Sequence, residues 1–155
     1  MATVTGDMLP PLLMERLGVH SAPGTTHPAH LEGMAVPVCT IDPDGLPHPA
    51  MLSYTELAAD DTRSMRAAVY GESTTARHLR QQGRIALLFV DPEGTYYVKA
   101  TVTGPDTPHP TARGVAVFPL AVVAVLADAV DTSREPAAVI TSGIRFRRTA
   151  PGTTP

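Results

Sequence analysis

Three consecutive hydroxyls, Ser73-Thr74-Thr75, followed by Arg77, are the side chains best suited to handling a ligand. The segment Ser73 to Gln82 reads as a helix: Ser73 or Thr74 caps it, Ala76 and Leu79 face inward, and Gly83 stops it. A helix start leaves backbone N–H groups without acceptors and carries a partial positive charge, and both suit phosphate. Rotatable hydroxyls add donors, and Arg77 supplies the charge that hydroxyls lack. The plainer alternative is that Ser73 only caps the helix and Arg77 points to water.

Other candidate chemistry is thinner. His27 and His30 are spaced like metal ligands, with His20 near, but Gly24 and Pro28 break any helix that could aim both rings at one point. No Cys or acidic partner stands at ligand spacing, so a solvated loop is expected and no metal. Cys39 lies in an apolar strand without a nearby base, which favours packing over a reactive thiolate. Gly71-Glu72-Ser73 opens like a hydrolase elbow, but Thr75 occupies the place of the second glycine. His48 on a strand and His78 on the exposed or interface side of the capped helix are expected at a surface or interface, with ligand contact the alternative. Tyr54, Tyr70, Tyr96 and Tyr97 fit strand positions with the hydroxyl at a rim.

The elements that must position these groups read as an α+β chain. Asp7 to Leu17 has helical spacing at Met8, Leu9, Leu12, Leu13 and Leu17, and ends at Gly18. His20 to Gly33 is an aperiodic loop. Val36 to Ile41 and Leu46 to Tyr54 form a hairpin around Asp42-Pro43-Asp44-Gly45, and Pro47 and Pro49 place the start of the second strand at an edge or a bulge. Arg63 to Tyr70 is a third strand. After the helix come a continuous apolar strand, Arg84 to Val90, whose two faces should both be covered, and a partner, Thr95 to Thr103. A Pro-rich loop spans Gly104 to Thr111. Val115 to Val130 reads as one long bent strand, Asp131 to Ala138 as a turn or short helix capped by Ser133 with Glu135 in its first turn, and Val139 to Arg147 as the last strand. The expectation is an antiparallel barrel of six or seven strands with two or three short helices, a single domain over residues 1–150, and a disordered tail over 151–155.

With 155 residues the chain can bury about 68–70% of its unfolded surface without staples. Its single cysteine excludes an intrachain disulfide and fits a reducing cytoplasm. The formal charge is -3 and no basic cluster accompanies aromatics, so no nucleic acid partner is expected. Lys99 is the only lysine among the 12 basic residues. The N-terminal residues lack a basic start and an unbroken apolar run, so no export signal is read. The most apolar stretch, Val115 to Ala127, falls short of the ~20 residues of a membrane helix, so no membrane span is expected.

Two blocks carry a family resemblance. Val38-Cys39-Thr40-Ile41-Asp42-Pro43-Asp44-Gly45-Leu46-Pro47-His48 resembles the opening hairpin of the FMN-binding split-barrel proteins related to pyridoxamine 5′-phosphate oxidase. Ser73 to Leu88, with Arg77, Leu79 and Arg84-Ile85-Ala86-Leu87, resembles their short helix and following strand. Together with Tyr96 to Ala100, the likeness runs over roughly residues 33–104. It implies a homodimer with FMN in a groove between two barrels. Its phosphate would meet Ser73, Thr74, Thr75 and Arg77, and its ring would run along Met51, Leu52 and Ser53.

The chain departs from that pattern. The family usually has arginine or lysine where Thr74 and Thr75 stand, and basic residues near Ala50 and Thr55. Each missing cation removes a charge-assisted bond commonly worth about 1.5–3 kcal/mol, leaving Arg77 or Arg80 to replace it. The oxidase's Arg-and-His substrate motif has no counterpart in Gly143 to Arg148, so oxidation of pyridoxamine phosphate is not expected. The resemblance implies an FMN-dependent oxidoreductase of unknown substrate. The alternatives are a dimer that binds flavin or another phosphate ligand without turnover, or a split barrel that has lost its cofactor.

Overall fold

A computed structural model of the chain describes residues 1–18 and 29–149. The expectations for His20, His27 and the 151–155 tail lie outside these residues.

The chain opens with strand β1 (Ala2–Gly6), which the sequence reading did not anticipate: all five of its residues are exposed, so it carries no alternation. Helix α1 is Pro11–Leu17, shorter than the Asp7 to Leu17 expected. Proline lacks the amide that helix interiors need, so Pro10-Pro11 confines the start to this point. Leu9, Leu13 and Leu17 pack inward, and the Gly18 amide closes the helix on Met14 O at 3.1 Å. After a 3₁₀ turn (Ala29–Leu31) come β2 (Ala35–Ile41) and β3 (Pro47–Ser53), joined by the expected hairpin. Asp42 Oδ1 accepts from the amides of Asp44 and Leu46, both at 2.9 Å, and Gly45 takes φ +83°. Next are a 3₁₀ turn (Tyr54–Glu56), β4 (Leu57–Ala59), β5 (Ser64–Tyr70), α2 (Thr74–Gln82), β6 (Arg84–Asp91), β7 (Gly94–Val102), β8 (Thr107–Pro108) and β9 (Val115–Asp128).

All strands pair antiparallel in the order β3-β2-β6-β7-β9-β5-β4, with β1 and β8 also on β9. The α+β fold expected from the sequence is present. The prolines of β3 sit on an edge strand, where their missing donors cost nothing. That edge and the other, β4, are joined by the Tyr54–Glu56 turn alone. Three 3₁₀ residues at about 2 Å rise cover only about 6 Å, so the sheet must curl until its two edges meet there.

β9 is the long bent strand. Its first half pairs with β5 and its second half with β1, and the change falls at a bulge: Ala124 opposes Lys99 while Val122 opposes Ala100. Val123 is the extra residue, and it is 54% exposed.

Inside the curl lie Phe89, Phe118, Leu13, Leu17, Met65, Leu79 and Leu87, nearly free of solvent. β6 does not have both faces covered within one chain: Ile85, Leu87, Phe89 and Asp91 are buried, while Ala86, Leu88 and Val90 are half-buried. Beyond β9, the turn at Asp131 is capped by Asp131 rather than Ser133. Its Oδ1 accepts from the Ser133 amide at 3.1 Å and hydroxyl at 2.5 Å, and Glu135 reaches back to the Asp131 amide at 3.2 Å. Val139 to Arg147 is not a full strand but an extended arm with one bridge, Arg145 to Met34. Its amide and carbonyl bonds run to Gly33 and Ala35, filling the gap where β2 and β6 part. Gly143 makes the approach possible, since a Cβ there would stand 2.9 Å from Val90 O. Among the described residues no helix is long and apolar enough to cross a membrane.

Candidate functional site

At the start of α2, Ser73 is the N-cap and its Oγ accepts from the Ala76 amide at 3.1 Å. Arg77 N bonds Ser73 O at 3.1 Å. The amides of Thr74 and Thr75 therefore stand in the first turn without an intrahelical acceptor. No acidic side chain lies in that turn. Thr74 is half-buried, and its hydroxyl accepts from Arg77 Nη2 at 3.3 Å, the one bond Arg77 makes among the described residues. Arg77 is otherwise exposed. Thr75 is only 7% exposed. This arrangement offers two amides, a hydroxyl and a loosely held cation to an anion.

The sequence offered Arg77 or Arg80 as the compensating charge, and the structure separates them. Arg80 is committed: Nε and Nη2 donate to Asp106 at 3.1 and 2.8 Å, Nη1 donates to Gly71 O at 2.6 Å, and the guanidinium lies 5.6 Å from the centre of the Phe118 ring.

The three residues expected along a flavin ring diverge. Met51 stands out from β3, 60% exposed. Leu52 turns into the core at 8%, as strand alternation requires, so only its backbone can face a groove. Ser53 is buried and its polar atoms are used. Glu56 Oε2 accepts from its amide at 2.6 Å and its hydroxyl at 2.9 Å, and Thr55 Oγ1 lies 2.8 Å from Ser53 Oγ.

His78 does not lie on an exposed or interface side. It is 4% exposed, with Nδ1 3.0 Å from Thr40 Oγ1, and the half-buried His48 packs on it edge to face at 4.9 Å. The hairpin register explains this: Thr40 and His48 oppose each other on the face that α2 covers. Cys39 is half-buried on the outer side of β2, between Pro49 and Ala86, rather than in the core. His30 is exposed on its 3₁₀ turn.

One charged cluster escaped the sequence reading. Arg16 of α1, 4% exposed, bonds Asp91 of β6 through both terminal nitrogens, Glu93 Oε2 at 2.6 Å and Tyr54 Oη at 3.1 Å. Burial alone would raise the Asp91 carboxyl. The bonds from Arg16 and from the Glu93 and Gly94 amides outweigh it and hold the group below its ordinary range. Burial pushes the Tyr54 phenol up, against the pull of Arg16. The partners of Arg16 lie 38, 75 and 77 residues away, and no local spacing could have announced them.

Comparison with known proteins fits this architecture. No curated protein matches the sequence. Solved structures share the fold at low identity. A pyridoxamine 5′-phosphate oxidase-like protein from Lactobacillus delbrueckii superposes with TM-score 0.57 at 15% identity, over 81% of this chain and 98% of that one. An FMN-binding protein from Syntrophomonas wolfei gives 0.51 at 14%, over 63% and 78%. The flavin reductase of styrene monooxygenase from Pseudomonas putida S12 gives 0.50 at 9%, over 60% and 78%. Residues 32–121, which include the hairpin, the whole of α2 and the first half of β9, match the family model of pyridoxamine 5′-phosphate oxidase. The chain belongs to the pyridoxamine 5′-phosphate oxidase family.

Proposed function

We propose that the protein binds FMN and acts as an oxidoreductase on a substrate other than pyridoxamine phosphate, as a homodimer with the ligand groove between two barrels. The observation that carries this is the start of α2. Within the segment matching the family model, two first-turn amides, the Thr74 hydroxyl and Arg77 are left available for a phosphate. These groups fit the phosphate of FMN, and Met51 with the backbone of Leu52 would border the ring. Bound flavin would supply hydride transfer, with the protein positioning and tuning it.

The dimer rests on the outer face of the sheet. Pro37, Cys39 and Ile41 of β2, Met51 of β3 and Leu88 and Val90 of β6 form an apolar surface that stays half-buried or exposed in one chain. Obligate interfaces resemble a core cut in half.

The first test is the visible spectrum of the purified protein, where oxidised flavin absorbs near ~450 nm. Titration with FMN and with riboflavin, followed by fluorescence quenching, then reads the phosphate's share. Tighter FMN supports the reading, equal affinities remove the phosphate seat, and no quenching by either leaves a split barrel without cofactor. The second reading, a flavin holder without turnover, is favoured by one observation: no titratable side chain other than Arg77 stands among Met51–Ser53 and Ser73–Arg77. Bleaching of the flavin band by a reduced nicotinamide, in the absence of air, would favour the oxidoreductase. A band that persists would favour the holder.

A further inference from the structure

Resting on the FMN reading, we propose that Arg80 is a positioning residue: through the carbonyl of Gly71 it fixes the β5–α2 turn that aims the Thr74 and Thr75 amides at the phosphate. Arg80 sits one and a half turns into α2, and its guanidinium is a three-way junction. One edge takes Asp106 with two bonds, at 3.1 and 2.8 Å; the remaining nitrogen, Nη1, donates to Gly71 O at 2.6 Å; and the plane lies over the buried Phe118 ring at 5.6 Å. The carboxylate already neutralises the cation, and every bond points at protein. Arg80 therefore differs from Arg77, whose one bond among the described residues is a 3.3 Å contact to a neighbouring hydroxyl.

The residue it holds is the pivot of the turn. Gly71 N bonds Gly114 O at 2.8 Å, and two residues on, Ser73 N bonds Tyr70 O at 3.0 Å. Gly71 is thus pinned through its amide by the loop before β9 and through its carbonyl by Arg80, two residues before the cap that starts α2. Donors that must meet an anion need to be held to about 0.5 Å by surrounding groups whose own geometry is fixed. A planar fork can serve a carboxylate and a carbonyl at once, whereas an ammonium on a flexible stem cannot hold the same three directions. The Pro-rich stretch around Asp106 thereby gains a role that its composition did not suggest.

The test compares Arg80→Ala, Arg80→Lys and Asp106→Ala with the wild-type protein in two readouts. In FMN and riboflavin titrations, Arg80→Ala and Asp106→Ala should each weaken FMN by about three- to tenfold, with riboflavin changed less than about twofold and Arg80→Lys in between. In the flavin-free protein, hydrogen exchange at the Gly71 and Ser73 amides should quicken in both alanine variants. FMN binding that weakens in Arg80→Ala but holds or tightens in Asp106→Ala would mean that Arg80 touches the phosphate itself, and would overturn the positioning role. Equal losses for both flavins, or unchanged exchange at Gly71 and Ser73, would overturn it too. If the wild-type protein does not distinguish FMN from riboflavin, the phosphate seat falls, and the exchange readout still decides whether Arg80 holds the turn.

Discussion

At the C-terminal end of β6, Arg16 is 4% exposed and bonded to Asp91, Glu93 and Tyr54; in the first turns of α2, Arg77 lies in solvent with one 3.3 Å bond, to Thr74, among the described residues. The first arginine is closed by protein, and the second is left for something else. A buried charge must be satisfied inside the fold, because the desolvation penalty of an unpaired ion is several kcal/mol. An exposed charge carries no such demand and adds little stability. Breaking the first should therefore damage the fold, and breaking the second should damage binding.

The largest effect is expected at Arg16. Arg16→Ala leaves Asp91 buried without its cation and should cost about 3–5 kcal/mol in urea unfolding. The pair Arg16→Met with Asp91→Asn, which keeps an acceptor for the Glu93 amide, should recover much of that loss. A double variant as unstable as the single one would mean that the ion pair itself, rather than the orphaned charge, carries the stability. The same pair should be visible in acid. The folded Asp91 carboxyl lies below its unfolded value of about 3.9, so its contribution is complete above roughly pH 5 and disappears as pH falls through the depressed folded value. The wild-type urea midpoint should fall more steeply below pH 4 than that of the double variant.

Next in size is Arg77→Ala, expected to weaken FMN by about ten- to a hundredfold while leaving riboflavin affinity and the urea midpoint unchanged. Unchanged FMN affinity would place the phosphate elsewhere. A smaller gain is expected from adding a cation. The family-like lysine at Thr75 would have to emerge from a site only 7% exposed, so the half-buried Thr74 is the better place. Thr74→Lys should tighten FMN by less than Arg77 contributes, because a cation in the first turn is repelled by the helix dipole. The smallest change concerns assembly: sedimentation equilibrium at micromolar concentration should show a dimer for the wild type and for Arg77→Ala alike. A monomer would remove the two-chain groove.

The two regions also differ in how far they could be read from sequence. The α2 region announced itself because its signals are local: a capping serine, an inward pair at Ala76 and Leu79, and Gly83 in the left-handed region at φ +64°. The hairpin was legible for the same reason, through Asp42 and Gly45. The Arg16 cluster was not, since its partners meet only after the sheet has curled. His78 was misplaced because its burial depends on Thr40 and His48 in another element. β1 was missed because its exposed residues follow the backbone of β9 rather than a core. Local codes place the helix that would receive a ligand, whereas the groups that steady it, Arg80 with Asp106, lie 26 residues apart.

β9 pairs with β1, β5, β7 and β8 and is the last strand among the described residues. On a ribosome, β1 and β5 must wait for β9: Ala2 finds Asp128, and Tyr70 finds Val115, only after β9 has emerged. Closing such long loops before any contact rewards them slows folding. Until then β5 and β7 present unpaired edges, the condition under which nascent chains associate with one another. A chain ended before Val115 would keep the hairpin and β6–β7 yet lack the strand that joins β7 to β5, so the yield of this protein in a cell depends on how quickly β9 is delivered.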